Sequence, residues 1–155
     1  MSFREIISSQ IDKALDSFAG NNSGNSPTLL MLGGFKFSLN TAVFQEVQRS
    51  TSWRWPAQER VGQYDALQFT GPGEDRVTLP GVIYPDFRGG TGQIEDLRKI
   101  AKQGKPVRLI SGSGAILGLW VIESIDETAS NFKPNAAPRR QDFTVTIRKF
   151  GDAEV

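Results

Sequence analysis

The side chains that most often carry out chemistry are missing from this sequence, which contains no cysteine and no histidine. This excludes thiolate nucleophiles, disulfides, Ser-His and Cys-His pairs, and the commonest zinc ligands. Carboxylates remain as acid-base candidates, since glycoside hydrolysis needs only a pair of them. They are Glu74, Asp75, Asp86, Glu123, Asp126 and Glu127. Most lie in expected turns or at strand ends, where a solvated charge is the simpler interpretation.

Glu123 differs from the other carboxylates because it interrupts an apolar stretch of sequence. A salt bridge to a lysine or arginine, or emergence of its strand into solvent, explains this position more simply than catalysis. We therefore predict no catalytic residue, and the protein is expected not to be an enzyme.

Two glycine-rich segments could in principle bind a ligand. Gly89, Gly90 and Gly92 precede a predicted helix whose free amides could hold a phosphate. No Walker spacing and no Lys-Ser/Thr pair follows them, so loop geometry is the better interpretation. Gly112-Ser113-Gly114 joins strand to strand, whereas a dinucleotide fingerprint needs a strand-to-helix turn. No cofactor and no metal site is predicted.

The segment Trp53-Arg54-Trp55 has the composition of surfaces that stack on sugars or bases. In a strand, Trp53 and Trp55 share one face and Arg54 points to the other. Paired tryptophans on one face are more often part of a core or a subunit contact. A carbohydrate-binding module therefore remains a distant alternative.

Length and composition indicate one domain with appendages. The chain has 155 residues, of which 38% are hydrophobic, and a net charge of +1. That charge gives no reason to expect nucleic acid or an anionic membrane as the main partner. No apolar run approaches the roughly 18–20 residues of a membrane span. Charged residues near the start also argue against a signal peptide.

The first nineteen residues predict an amphipathic helix, which we expect over 1–19. Ser2 and Glu5 form a capping box, and Gly20 ends the helix. Its apolar stripe contains Phe3, Ile7, Ile11, Leu15 and Phe18. The polar segment 20–28 is expected to be a flexible linker. The helix could fold back on its own core or dock on a neighbouring subunit, and the linker makes the second possibility competitive.

Residues 29–150 predict a β domain, followed by a short tail at 151–155. Ala115–Ile125 is apolar at both alternating sets of positions, so we expect a central strand that is covered on both faces. Val43–Trp55 and Arg76–Tyr84 predict further strands, with Pro80 favouring an edge or a bulge. Gly71-Pro72-Gly73 is expected to break the chain between strands, and Thr128–Pro138 to be a long loop.

The fold class is therefore α+β, with about seven strands around one packed helix at Gln93–Gln103 and an extra N-terminal amphipathic helix. Glu95 and Asp96 near the start of the packed helix, and Lys99 and Lys102 near its end, match the helix dipole. The spacing of the strands resembles that of hairpins, so the sheet should be mostly antiparallel, as a sandwich or an open barrel.

Several stretches together resemble one known family, in order and in spacing. They are MLGGFKFSLN (31–40), QEVQRSTSWRWP (45–56), LQFTGPGED (67–75), LPGVIYPDFRGG (79–90), GKPVRLISGSG (104–114), GLWVIESIDET (118–128) and APRRQDFTVTIRK (137–149). They are similar to tail protein U of the contractile-tailed peduovirus-type phages and the related R-type pyocins. The N-terminal helix and linker fall outside this resemblance.

The resemblance implies a structural tail component with a fold of the tail-tube type. It implies a ring, expected to be a hexamer, at the baseplate end of a phage tail or tail-like particle assembled in the bacterial cytoplasm. The ring would join the baseplate hub proteins to the tail tube protein and initiate tube assembly. A head-proximal tail terminator ring is the alternative. The expected interface residues are Phe3, Ile7, Ile11, Leu15, Phe18, Trp53 and Trp55.

Overall fold

A computed structural model describes residues 5, 6, 9, 28–38, 43–44, 46–85, 92–135 and 138–151. Of the predicted N-terminal helix, Glu5, Ile6 and Ser9 are described and are helical, with the Ser9 hydroxyl donating to the Ile6 carbonyl over 2.9 Å. The rest of that helix, the linker up to residue 27 and residues 152–155 lie outside the described residues.

Ten strands and one helix make up the described part of the β domain. The strands are β1 (Thr28–Leu32), β2 (Phe35–Ser38), β3 (Val43–Phe44), β4 (Gln48–Arg54), β5 (Ala57–Gln58), β6 (Ala66–Leu67), β7 (Gly71–Ile83), β8 (Val107–Ser111), β9 (Ile116–Phe132) and β10 (Pro138–Gly151). The helix α1 (Gln93–Lys102) connects β7 to β8.

Eight strands form one sheet in the order β2-β1-β8-β9-β10-β7-β3, with β4 also paired to β7. The strands β5 and β6 form a second, two-stranded sheet. Each recorded strand pair is antiparallel. The expectation of a mostly antiparallel sheet with one packed helix is confirmed.

The core lies on one face of the sheet because buried and less buried residues alternate along the long strands, as they do along β10. Val145 on β10 is fully buried and lies between Leu79 of β7 and Ile125 of β9. The sheet curls so that β2 reaches β10 across this core, with the rings of Phe37 and Phe143 stacked 6.4 Å apart. Burying such side chains stabilises the fold by about 1.5–3 kcal/mol each.

The helix α1 covers part of the same core with Ile94 and Leu97, which are both buried. Its acidic residues lie in the first turn and its basic residues in the last turn, as the sequence indicates. After the helix, Gly104 adopts a φ of 63°, a left-handed conformation that favours glycine. The predicted helix Gln93–Gln103 is confirmed to within one residue.

The expected central strand is present but is longer and less covered than predicted. β9 occupies the middle of the sheet and extends seven residues past Ile125, to Phe132. Trp120 is 1% exposed, whereas Ile116 is 65% exposed. The two expected apolar faces lose their alternation because Gly118 has a φ of 96° and the register shifts between Ile122 and Ser124. In the described chain, only one face of β9 is packed.

Other expected boundaries were wrong. Gly71-Pro72-Gly73 does not break the chain but begins β7, since Gly71 pairs with Arg54 and Pro72 with Trp53. The register shift between Thr51 and Trp53 lies beside Gly73, where a Cβ would meet Ser52 Oγ. The irregularity expected at Pro80 is present, however: Pro80 pairs with Thr144 of β10 on one side, whereas on the other side the β3 pairing ends at Gly81 and the β4 pairing begins at Thr78 in a shifted register. The long loop expected at Thr128–Pro138 shrinks because β9 and β10 pair as far as Phe132 and Pro138.

Candidate assembly surface

A β-hairpin projects from one end of the sheet. The pairing of β10 with β7 stops at Arg76, but β7 continues to Gly71 beside β4 alone. The hairpin goes on through β5 and β6 to a turn at Gly62, where φ is 69°. We call residues 48–75 the β-arm. From Gln48 to Thr70 its residues are exposed, with Ala66 alone half-buried.

One face of the β-arm is apolar. Trp53 and Trp55 are 60% and 54% exposed, and across the hairpin Leu67 and Phe69 are 62% and 52% exposed. Trp55 and Phe69 pack against each other with ring centroids 5.0 Å apart, and Leu67 lies opposite Ala57. We call Trp53, Trp55, Leu67 and Phe69 the aromatic stripe. It forms one continuous apolar surface in solvent, of the kind that marks an interaction site.

The base of the β-arm continues the buried face of the sheet. Arg49 lies opposite Val77, which is fully buried, and Thr51 lies opposite Asp75 on the same side. Between Thr51 and Trp53 the register of β4 with β7 shifts, and Trp53 lies opposite Pro72. Beyond this irregularity, no other described part of the chain covers the aromatic stripe.

The opposite face of the sheet is polar, and no other described element covers it. Thr144 lies between Asp126 and Pro80, and Thr146 between Ser124 and Thr78. These positions are half-buried or exposed, whereas their neighbours on β10 are buried. We call this the polar face. Serine, threonine and paired charges keep it compatible with water.

Four charged side chains form a closed network on the polar face at the base of the β-arm. Glu123 accepts hydrogen bonds from Arg76 Nε over 2.9 Å and from Arg148 Nη1 over 3.1 Å. Glu74 lies 3.2 Å from each of the same two guanidinium groups. The expected salt bridge of Glu123 is confirmed. The network ties β7 and the β-arm to β9 and β10.

A second ion pair braces the base of the arm on its other face. Asp75 accepts hydrogen bonds from both Arg49 Nε, over 2.7 Å, and Arg49 Nη2. This hydrogen bonding raises the pKa of Arg49 and keeps the guanidinium charged. The bidentate geometry fixes the direction of β4 relative to β7.

Glu127 makes a similar bridge between the helix and the sheet. It accepts hydrogen bonds from Arg98 on α1 over 2.8 Å and from Gln141 on β10 over 2.9 Å. Hydrogen bonds to Glu95 and then Glu127 raise the pKa of Arg98. Glu74, Asp75, Glu123 and Glu127 are thus engaged in structural ion pairs.

The predicted site residues fall into two groups. Trp53 and Trp55 lie exposed on the β-arm, whereas Phe3, Ile7, Ile11, Leu15 and Phe18 lie outside the described residues, as do Asp86 and the Gly89-Gly90 loop. Leu67 and Phe69 were missed. The alternation of apolar and polar residues around Leu67 and Phe69 predicts a strand with one buried face. It does not show that, among the described residues, this face is left uncovered by the core of the same chain.

Other kinds of site find no support in the part of the chain that is described. No three acidic side chains there come together in a way that could hold a metal ion. None of its helical segments has the length and hydrophobicity to cross a bilayer.

A mostly antiparallel sheet with one packed helix, a polar face that no other described part of the chain covers and a projecting hairpin with an exposed apolar stripe is typical of proteins that assemble with other chains. Comparison with known proteins places the chain within that class. The family model for Phage P2 GpU matches residues 33–152, so the chain belongs to this family of phage tail proteins. It is a structural component of a phage tail, located in the virion tail.

Individual relatives are more distant. A "probable tape measure protein" of Halomonas phage phiHAP-1 is 23% identical over 119 residues, which is 76% of this chain and 14% of that protein. The chain therefore spans about one seventh of that curated relative. The Dit (gp 19.1) protein of phage SPP1, described as part of a hub adsorption apparatus, superposes with a TM-score of 0.56 at 14% identity. That match covers 80% of this chain and 50% of Dit, and it shows a shared fold. The tail of an empty gene transfer agent particle, refined with C6 symmetry, matches at a TM-score of 0.47 with 14% identity, covering 83% and 95% of the two chains.

Proposed function

We propose that this protein forms a closed ring at the baseplate end of a contractile tail or tail-like particle. The ring joins the central hub to the tail tube and templates the first layer of tube subunits. The protein acts as scaffold and not as an enzyme. The number of copies is six, by analogy with the family.

The observation that carries this proposal is the aromatic stripe. A chain that worked alone would place these four large apolar side chains in water along the hairpin, with Val61 and Tyr64 also exposed at its tip. Exposure of such a surface is costly and favours aggregation unless another chain covers it. A closed ring covers the stripe of each copy in the same way and leaves no copy unmatched.

The length of the β-arm supports the same conclusion. The hydrogen-bonded part of the arm, from Asp75 to Ala66, spans about 30 Å at roughly 3.3 Å per residue. A compact body of about 100 residues has a radius of gyration of about 13 Å, which for a sphere corresponds to a diameter of about 34 Å. The arm is thus nearly as long as the body that carries it is wide, long enough to reach most of the way across a neighbouring subunit.

The position in the particle is tested by labelling. Gold-labelled antibody fragments against this protein should decorate one end of intact particles, the end that carries the baseplate, in negative-stain images. Decoration of the head-proximal end would identify a tail terminator ring instead. Decoration along the whole tube would contradict both assignments.

A further inference from the structure

A small cavity opens beside the C-terminal end of α1. It lies where the pairing of β8 with β9 ends, at Val107 and Trp120. Its volume is about 110 Å³. Ile100 and Ala101 line it on the side of the helix, and Val107 and Ile122 line it on the side of the sheet. We call it the α1–β9 cavity.

The cavity is a gap in otherwise close packing. Ile100, Val107 and Ile122 pack against the buried core but are themselves only partly buried. Protein interiors are packed about as densely as organic crystals, so an empty apolar space costs the side chains around it part of their contacts. An apolar cavity of about 150 Å³ holds a benzene molecule, and the α1–β9 cavity has the size for one ring. Among the described residues, no side chain fills it.

The chain before β1 contains a side chain of that size. The sequence predicts an amphipathic helix over 1–19, and the family model begins only at residue 33, so the match does not account for this helix. Phe18 lies in the last predicted turn, next to the linker. It is the residue of the apolar stripe that is nearest to β1 along the chain.

The linker has the length that docking of Phe18 in this cavity needs. The Gly112 N–H donates a 3.0 Å hydrogen bond to the Leu29 carbonyl, so β1 begins beside the turn that follows β8. Val107, at the other end of β8, is five residues from Gly112, which is roughly 17 Å along a strand. Phe18 and Thr28 are ten residues apart, and a flexible chain of that length has an r.m.s. span of about 17 Å. Because the two lengths agree, the effective concentration of Phe18 at its own cavity is high, which favours docking within one chain over docking on a second copy.

Lys105 complements the end of the predicted helix. The last carbonyl groups of a helix have no partner within it, and a cation near that end is stabilising. Lys105 lines the cavity, is exposed and has no ion-pair partner among the described residues. With Phe18 in the cavity, the last turn of the predicted helix lies next to the Lys105 ammonium group, which can donate to its free carbonyls.

We infer that Phe18 inserts into the α1–β9 cavity of its own chain and anchors the predicted N-terminal helix beside α1. Phe3, at the other end of the apolar stripe, lies about 22 Å from Phe18 along such a helix. The anchor therefore fixes the place at which the rest of the stripe is presented to another chain. Because this contact lies within one copy, it does not depend on the proposed ring.

The absence of cysteine from the sequence allows a disulfide test in the full-length chain. Ala19→Cys, next to Phe18, is combined with Gln103→Cys, an exposed position between the cavity residues Ala101 and Gly104. A disulfide needs Cα atoms within about 7 Å of each other. Mild oxidation should link the two positions within one chain, so the product runs as a monomer on non-reducing gels and mass spectrometry finds the cross-linked peptide.

The matched control keeps Ala19→Cys and replaces Gln103→Cys by Ser113→Cys. Ser113 is exposed and lies in the turn beside the start of β1, so a linker without a docking site brings residue 19 to Ser113 more often than to Gln103. We expect the 19–103 disulfide to form faster than the 19–113 disulfide. Equal or slower formation would overturn the inference. A 19–103 disulfide that joins two chains would also overturn it and would place Phe18 on a second copy.

Variants of the anchor and of the cavity give a second test in the 19–103 background. Phe18→Ala should lower the rate of linkage by about tenfold, as expected for the loss of a buried aromatic side chain, and Phe18→Leu should keep most of it. Ala101→Leu, which fills part of the cavity, should also lower the rate while thermal unfolding shows that the β domain is folded. Phe3→Ala should leave the rate unchanged. Linkage that is insensitive to Phe18→Ala would contradict the anchor.

Discussion

Arg76 donates a 2.9 Å hydrogen bond to Glu123, a residue 47 positions away on a strand that is not its neighbour in the sheet. The contact crosses β10, whose Arg148 also donates to Glu123. These bonds lie where the β-arm leaves the body. A hairpin that is to meet a neighbour in a fixed direction needs a rigid base, and this network provides one.

Replacing Glu123 by Gln tests that role. The variant should lose less than about 1 kcal/mol of unfolding free energy, because the network is solvent-accessible. Amide hydrogen exchange should nevertheless become faster at the base of the β-arm and stay unchanged in α1. Asp126→Asn is the control, since Asp126 has no ion-pair partner among the described residues. Equal exchange in both variants would show that the network does not hold the arm.

Leucines inside and outside the core should respond differently to truncation. Leu97→Ala removes a fully buried side chain on α1 and should cost about 2–5 kcal/mol of unfolding free energy. Leu67→Ala, on the exposed aromatic stripe, should change it by about 0.5 kcal/mol or less. Urea unfolding of the dissociated chain measures both. A large loss from Leu67→Ala would mean that the stripe packs against its own chain.

Tryptophan emission should report assembly. Trp53 and Trp55 are exposed and Trp120 is buried, so the emission of the dissociated chain is dominated at long wavelength by the two arm tryptophans. Assembly should shift the emission maximum to shorter wavelength as protein concentration rises. The Trp53→Phe, Trp55→Phe variant, which keeps Trp120, should show no shift. A spectrum of the wild-type chain that does not change while rings form would place the stripe outside the interface.

The predicted N-terminal helix gives a separate prediction. Deleting residues 1–26 should leave the β domain folded, because the described core residues, from Leu29 to Ile147, pack against one another within the β domain. If the helix docks through Phe3, Ile7 and Ile11 on another chain, particle assembly should fall in a complementation assay. The full-length chain with both Ile7→Ser and Ile11→Ser on the apolar stripe of the predicted helix should reproduce that defect. Normal assembly of both variants would mean that the helix has no docking role.

Local signals predicted much of the fold. The helix α1 follows from its apolar spacing and charge distribution, and β10 from the alternation of Phe143, Val145 and Ile147. In each case the pattern is formed by residues of the same segment whose structure it predicts. The end of β9 was missed because residues after Ile125 are polar on both faces, and their strand is held by backbone pairing to β10.

The β-arm could be predicted only in part. Trp53 and Trp55 were expected to share a face and contact another subunit, and the structure places them together in solvent. Their continuity with Leu67 and Phe69 depends on the register of β5 with β6, which no local pattern in the sequence determines. Gly71 and Gly73 indicate a turn between strands, yet they lie within β7, next to the register shift between β4 and β7.

The most direct test of the account is a cryo-EM map of the assembled tail particle at a resolution that separates strands. The account predicts one closed ring of this chain at the baseplate end, with Trp53 and Trp55 buried against the adjacent copy. A solitary copy of the chain there, with both indole rings in solvent, would contradict it.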